Sequence, residues 1–184
     1  MLARQSGMTA ANIVIAYWLV PAEPARSFFA SITRELAARF PAPVFEPHLT
    51  VYAGPGGAVD PNEVLSRALA EHGPLQLSVR DVRSSDQFTK TVFVQFEDDP
   101  RLAEISFALR RASADDADYE LNPHLSLIYK TMETAVKSEL ANSIRIPFRE
   151  VTFDSVKAVV CPTPIRSRAD VEAWRVLTAQ TLTK

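Results

Sequence analysis

The sequence predicts an α+β fold of two similar halves that face a shared cleft, within a single bilobal domain over residues 1–184. The first observation behind this is an alternation of strand-like and helix-like apolar patterns in the order β-α-β-α-β-β-α-β-α-β-β. The second is a short motif that occurs twice, as FEPHLTVYAG around His48 and as LNPHLSLIYK around His124. The third is that nothing longer repeats, so the two halves are related through their motifs and not through extended self-similarity. Helices are expected outside, with the strands of the two halves facing the cleft.

The elements follow in order. Ile13 to Leu19 is β-branched and aromatic and reads as a buried strand; Pro21 and Pro24 end it and open a helix from Ala25 to Arg39. PAPVFEP is a loop, and His48 to Ala53 alternates as a strand. After the GPGG break, Asp60 and Pro61 supply an N-cap and a first-turn proline for a helix to Glu71, stopped by His72-Gly73-Pro74. Gln76 to Val82 and Thr91 to Phe96 are strands joined by the polar RSSDQFTK, and EDDP leads into a helix from Arg101 to Arg111. Beyond the acidic ADDADYE come a strand from His124 to Tyr129, a helix from Glu133 to Leu140 and a strand region from Pro147 to Val160. A CPTP break precedes a last strand from Trp174 to Leu182.

Composition narrows the function. With 47% apolar and 23% charged residues the chain is of the globular type. A net charge of −2 and a pI near 5.9 argue against holding long duplex nucleic acid, which needs a basic face. Cys161 is the only cysteine, so no internal disulfide or CxxC metal knuckle can form, and a cytoplasmic location is expected. The apolar run from Ile13 to Val20 is too short to span a bilayer, so no membrane partner is expected. Residues 1–10 read as a flexible leader, with Met1 and Met8 both available as starts.

Side chains alternate along a strand, so His48 and Thr50 share one face, as do His124 and Ser126, while Leu49, Val51, Leu125 and Leu127 face the core. Each strand then offers an imidazole and a hydroxyl about 7 Å apart. Two such strands on one cleft make a four-point polar site. A single histidine on a strand is usually structural; two of the three histidines carrying the same neighbours point to chemistry. The third, His72 in EHGP, fits a helix C-terminus, where an imidazolium meets the dipole favourably.

PHLTVYAG and PHLSLIYK resemble the paired His-x-Thr/Ser motifs of the two-histidine (2H) phosphoesterase superfamily. AYWLVP, SDQFTKTVFVQF and VEAWRV extend the likeness to its cyclic phosphodiesterase branch. The neighbouring 2′-5′ RNA ligase-like branch usually reads His-x-Thr-Leu in both motifs, whereas Ser126 is followed here by Leu-Ile-Tyr. The resemblance implies the bilobal 2H fold and hydrolysis of nucleotide 2′,3′-cyclic phosphates, or of ADP-ribose 1″,2″-cyclic phosphate, with the 2′-phosphate as expected product. It implies His48 and His124 as catalytic acid and base, with their order open, and Thr50 and Ser126 as phosphate ligands.

Histidine suits both roles because its ordinary pKa, near 6.5, allows one ring to be neutral while the other is charged. No cofactor and no metal are required, and the chain lacks His-x-x-x-His or clustered carboxylates that would complete a metal site. Tyr52 shares the parity of His48, and Lys130 that of His124, so both are candidates for the rim. Tyr129 falls on the opposite parity but is common in the branch. Lys90 and Phe93 lie in a family-like segment, where Phe93 could stack on a base. Trp18, Tyr17 and Trp174 read as core, Asp115 to Glu120 as a solvated loop, and Cys161 as a buried strand-end residue. Two other functions compete: an RNA end-processing enzyme acting on short RNA 3′ ends, and a nucleotide-binding sensor without turnover. The chain is expected to be a monomer.

Overall fold

The computed structural model describes residues 12–183, so the leader expected at residues 1–10 lies outside the described residues. The strands are β1 (Asn12–Pro21), β2 (Leu49–Pro55), β3 (Leu75–Ser84), β4 (Val92–Phe96), β5 (His124–Ile128), β6 (Glu150–Thr163) and β7 (Arg175–Thr181). The helices are α1 (Ala25–Arg39), α2 (Pro61–Leu69), α3 (Pro100–Ala112), α4 (Thr134–Ser143) and α5 (Arg168–Glu172), with a 3-10 turn at Phe88–Lys90. This is the expected order with α5 and the 3-10 turn added. Local chemistry sets the helix starts: Asp60 Oδ1 accepts the Asn62 N–H at 2.8 Å, and Asp99 Oδ1 accepts those of Arg101 and Leu102 at 2.8 and 3.1 Å. In each case a proline follows the cap, where its missing N–H costs nothing.

Most boundaries shift by one to three residues, and two differences have a clear cause. α5 is opened by a reciprocal cap in which Ser167 and Asp170 each take the other's backbone N–H. β6 runs three residues past Val160, through all of CPTP but its last proline, because β1 lies along it from Pro21 to Asn12 and pairs Asn12 with Thr163.

All strands are antiparallel to their neighbours in one sheet of order β1-β2-β5-β4-β3-β6-β7, and β1 also pairs with β6. The two halves therefore do not carry separate sheets. β1, β2, β6 and β7 belong to one half and β3, β4 and β5 to the other, and the pairings join them into one ring with β7 outside it. One join is β3 against β6, Leu75–Ser78 on Phe153–Glu150; the other is the single pair Leu49 and Leu125 between β2 and β5.

The helices cross over. α1 follows β1 but packs on β5, and α3 follows β4 but packs on β2, where Ser106 Oγ donates to the Val51 carbonyl at 2.8 Å. Each histidine strand is thus backed by a helix from the other half. One continuous core results, in which Leu19, Phe29, Leu49, Leu102, Leu125 and Phe153 are all 0% exposed. Among the described residues no helix is long and apolar enough to cross a membrane.

Because Leu49 and Leu125 are the whole of one join, truncating either is expected to be severe. Leu125→Ala should cost about 2–5 kcal/mol by the transfer and cavity terms of a buried leucine, read as a lower urea midpoint.

Candidate functional site

The Leu49–Leu125 pair fixes the site. With these leucines in the core and opposite one another, antiparallel register sets His48 across from Ser126 and Thr50 across from His124. His48 and His124 then stand on a diagonal, with backbones about 7–8 Å apart. Both line one cavity of about 370 Å³ together with Thr50, Trp18, Tyr129 and Trp174.

The two histidines are held alike. His48 Nδ1–H donates to the Glu46 carbonyl at 2.6 Å, and His124 Nδ1–H to the Asn122 carbonyl at 2.8 Å. A carbonyl only accepts, so each Nδ1 carries the proton and each Nε2 is left bare. Here lies the reason for the prolines at 47 and 123. Proline fixes its own φ, brings no competing N–H and holds the residue before it extended, so that residue's carbonyl can meet the ring two places on.

Their surroundings differ. His48 stacks on the Trp18 indole at 3.8 Å between centroids and 12° between planes, with the edges of Phe45 and Trp174 around it. His124 meets the edge of Phe93 at 5.6 Å, and Lys90, whose ammonium lies 4.4 Å above the Phe93 ring, adds a positive charge beside it. Burial lowers both pKa values to about 4; the charge of Lys90 pushes His124 the same way, and those of His124 and Lys157 do so for His48. Both rings are neutral at pH 7 in the unliganded chain.

The hydroxyls differ too. Thr50 is half-buried on the cavity wall, whereas Ser126 is buried behind it and donates to the Thr89 carbonyl at 2.7 Å. Tyr129 supplies the hydroxyl on that side. It stacks on Phe45 at 4.0 Å, and burial raises its pKa so that it stays a donor. Strand parity argues against Tyr129, but β5 ends at Ile128 and parity ends with it.

Tyr52 is a correction. Between Thr50 and Tyr52 the register against β1 slips by one, Trp18 facing Thr50 and Tyr17 facing Tyr52, and this bulge at Val51 reverses the alternation. Tyr52 is therefore core, stacked on Tyr17, with its hydroxyl on Asp115. Phe93 is likewise buried, against His124, and is not free to stack on a base. Lys130 lies past the end of β5, tied by its backbone to Thr91 Oγ1, and does not line the cavity. Asp115, expected in a solvated loop, anchors that loop through Tyr52.

Sequence reasoning placed Trp18 and Trp174 mainly in the core and did not single out Thr89, yet all three line the cavity; Phe45 packs behind the wall, against His48, Tyr129 and Trp174. The signal was present for Trp18, which shares a face of β1 with Val14 and Ala16, but a strand buried on both sides carries no polar alternation to mark which face is functional. The Trp174 indole N–H is buried with no partner among the described residues. Cys161 also lines the cavity, but burial pushes its thiol up to about 12, so it is not a nucleophile at neutral pH. No group of three or more potential metal ligands lies together among the described residues.

A family model described as cyclic phosphodiesterase-like protein matches residues 13–182. This chain belongs to the cyclic phosphodiesterase-like family. Its superfamily is that of the 2H phosphoesterases, and its activity is of the phosphodiesterase type. Solved structures share the fold of this family member. Escherichia coli LigT in apo form is 17% identical, with a TM-score of 0.59 over 95% of this chain and 100% of that one. LigT complexed with 3′-AMP is 17% identical, with a TM-score of 0.57 over 95% and 99%. TT0787 of Thermus thermophilus is 15% identical, with a TM-score of 0.57 over 92% and 97%. No curated protein matches the chain.

The lowered histidine values carry a stability prediction. Folded values of about 4 lie below the unfolded value near 6.5, so between them the unfolded chain binds more protons. Stability should rise with pH across that window and level off above it. Melting temperatures measured from pH 4.5 to 8 should show this rise, and it should be shallower in His48→Phe.

Proposed function

We propose that this family member is a metal-independent cyclic phosphodiesterase that hydrolyses nucleoside 2′,3′-cyclic phosphates to 2′-phosphates, with ADP-ribose 1″,2″-cyclic phosphate as the second candidate substrate. One observation carries the reading: two imidazoles on a diagonal of one antiparallel pair, both with Nδ1 tied down and Nε2 bare, line one cavity with Thr50. That E. coli LigT holds 3′-AMP supports a nucleotide-shaped ligand on this fold.

The phosphate sits between the rings. One Nε2 takes a proton from water, the water oxygen attacks phosphorus in line, the bond to the ribose 3′ oxygen breaks, and the other ring returns a proton to that oxygen. Thr50 and the Tyr129 hydroxyl donate to the non-bridging oxygens. We assign His124 as base, because the ammonium of Lys90 beside it disfavours its charged form. His48 is the acid: once the anionic substrate binds, the Trp18 face stabilises an imidazolium stacked on it. The charge of Lys157 opposes this only weakly, since Glu46 neutralises it at 2.6 Å.

Turnover of the four nucleoside 2′,3′-cyclic phosphates in excess EDTA, with the phosphate position read by NMR, tests the reading. His48→Ala and His124→Ala should each lose about 10²–10⁴ in kcat, and Thr50→Val about 10². A wild type inert on all four and on the ADP-ribose ester overturns the proposal. For the assignment, a p-nitrophenyl phosphodiester, whose leaving group needs no proton, should be cleaved far better by His48→Ala than by His124→Ala. The wild-type kcat, which reports the substrate-bound histidines, should be bell-shaped in pH, and a flat kcat profile across about pH 5–9 would count against paired acid and base.

A further inference from the structure

Each candidate histidine is held through the residue two places before it, and that residue is itself gripped by a side chain from another strand. On the His48 side, the Glu46 carboxylate takes two hydrogen bonds from Lys157 Nζ, at 2.6 and 2.7 Å, while the Glu46 carbonyl takes His48 Nδ1–H. Lys157 lies on β6 directly across from Trp18, the residue stacked on His48. On the His124 side, Gln95 Nε2 donates to Asn122 Oδ1 at 3.2 Å and to the Pro123 carbonyl at 2.8 Å, while the Asn122 carbonyl takes His124 Nδ1–H. Gln95 is buried on β4 and is the register partner of His124.

Neither Lys157 nor Gln95 lines the cavity, so neither can touch a ligand there. Their reach ends at the segment that carries the accepting carbonyl. We propose that Lys157 and Gln95 are positioning residues, each fixing the backbone carbonyl that holds its histidine as the Nδ1–H tautomer and turns a bare Nε2 to the cavity. This rests on the two-histidine reading above.

The physical logic is that of an outer shell. A neutral imidazole in solution exchanges between tautomers, and the wrong one offers the substrate a donor where a base is needed. A single hydrogen bond to a mobile loop carbonyl would bias this exchange weakly; a carbonyl whose own residue is clamped biases it strongly, and partners of this kind are worth about 10- to 100-fold where they orient metal-bound histidines. The two clamps differ in kind. Lys157 to Glu46 is an ion pair at the edge of the site, and Gln95 to Asn122 is a neutral amide contact from a buried side chain to an exposed one. Each can therefore be loosened without touching the other.

The test reads tautomers directly. The full chain, with ¹⁵N-labelled histidine and no ligand, is examined at pH 7.5 by two-bond proton–nitrogen correlation, with His72 as an internal reference. His48 and His124 should both be single Nδ1–H tautomers in the wild type. Lys157→Met should move only His48 toward a mixture, and Gln95→Met only His124. Asn122→Ala keeps the carbonyl, removes the partner of Gln95 at an exposed position, and should act as Gln95→Met does even if that variant does not fold. Each should lower kcat for the cyclic phosphate about tenfold with KM within about twofold, and Lys157→Arg, which can still pair with the carboxylate, should restore both readouts. Folded variants with wild-type tautomers and kcat, or variants in which both histidines move together, overturn the inference. A wild type with mixed tautomers overturns it even if the enzyme is active. A wild type inert on cyclic phosphates but with fixed tautomers refutes the catalytic reading alone, so the two failures are distinct.

Discussion

The site depends on one antiparallel contact. Leu49 and Leu125 are the only residues through which β2 and β5 pair, and both are fully buried. Because a strand has a side-chain period of two, sealing these leucines in the core forces His48, Thr50, His124 and Ser126 to the opposite face. A slip of one residue on either strand would turn a histidine into the core and a leucine into the cavity. The hydrophobic effect thus sets catalytic geometry, since burying two leucines is what brings two imidazoles within reach of one phosphate.

Symmetry of backbone does not give symmetry of chemistry. The same Pro-His step, with the same bond from Nδ1 to a carbonyl two residues back, is repeated in both halves. What differs is the wall behind each ring: an indole face for His48, a phenyl edge and an ammonium for His124. Two groups of one type set in unlike surroundings are how a fold divides acid from base.

Much of this is legible in the residues, because the signals are local. Asp60-Pro61 and Asp99-Pro100 announce α2 and α3, and the alternation after each proline announces a strand with a polar face. The misreadings share a cause. Counting in twos sends Tyr52 to the rim, and a bulge at Val51 interrupts the count; the same rule discounts Tyr129, beyond the residue where its strand stops. A bulge arises from pairing with β1, a contact between distant parts of the chain that no window around Tyr52 contains. Trp18 and Trp174 read as core for a related reason: being buried in a protein and lining a cavity inside it look alike in a sequence. α5 is different, since Ser167 and Asp170 spell out a capping box at the right spacing, a local signal that sequence reasoning passed over.

The pairing of β1 with β6 also bears on how the chain is made. On one edge β1 finds β2 early, but its other edge waits for residues 153–163, roughly 130 positions later, which at about 5–20 residues per second is on the order of ten seconds of synthesis. For that time a strand reading IVIAYWLV presents an open edge of the kind that invites pairing with other chains. The crossed helices sharpen the point, since α3, which packs on β2, and β5, on which α1 packs most, both emerge well after their partners. The pocket itself is complete only when strands from both ends of the chain are in place.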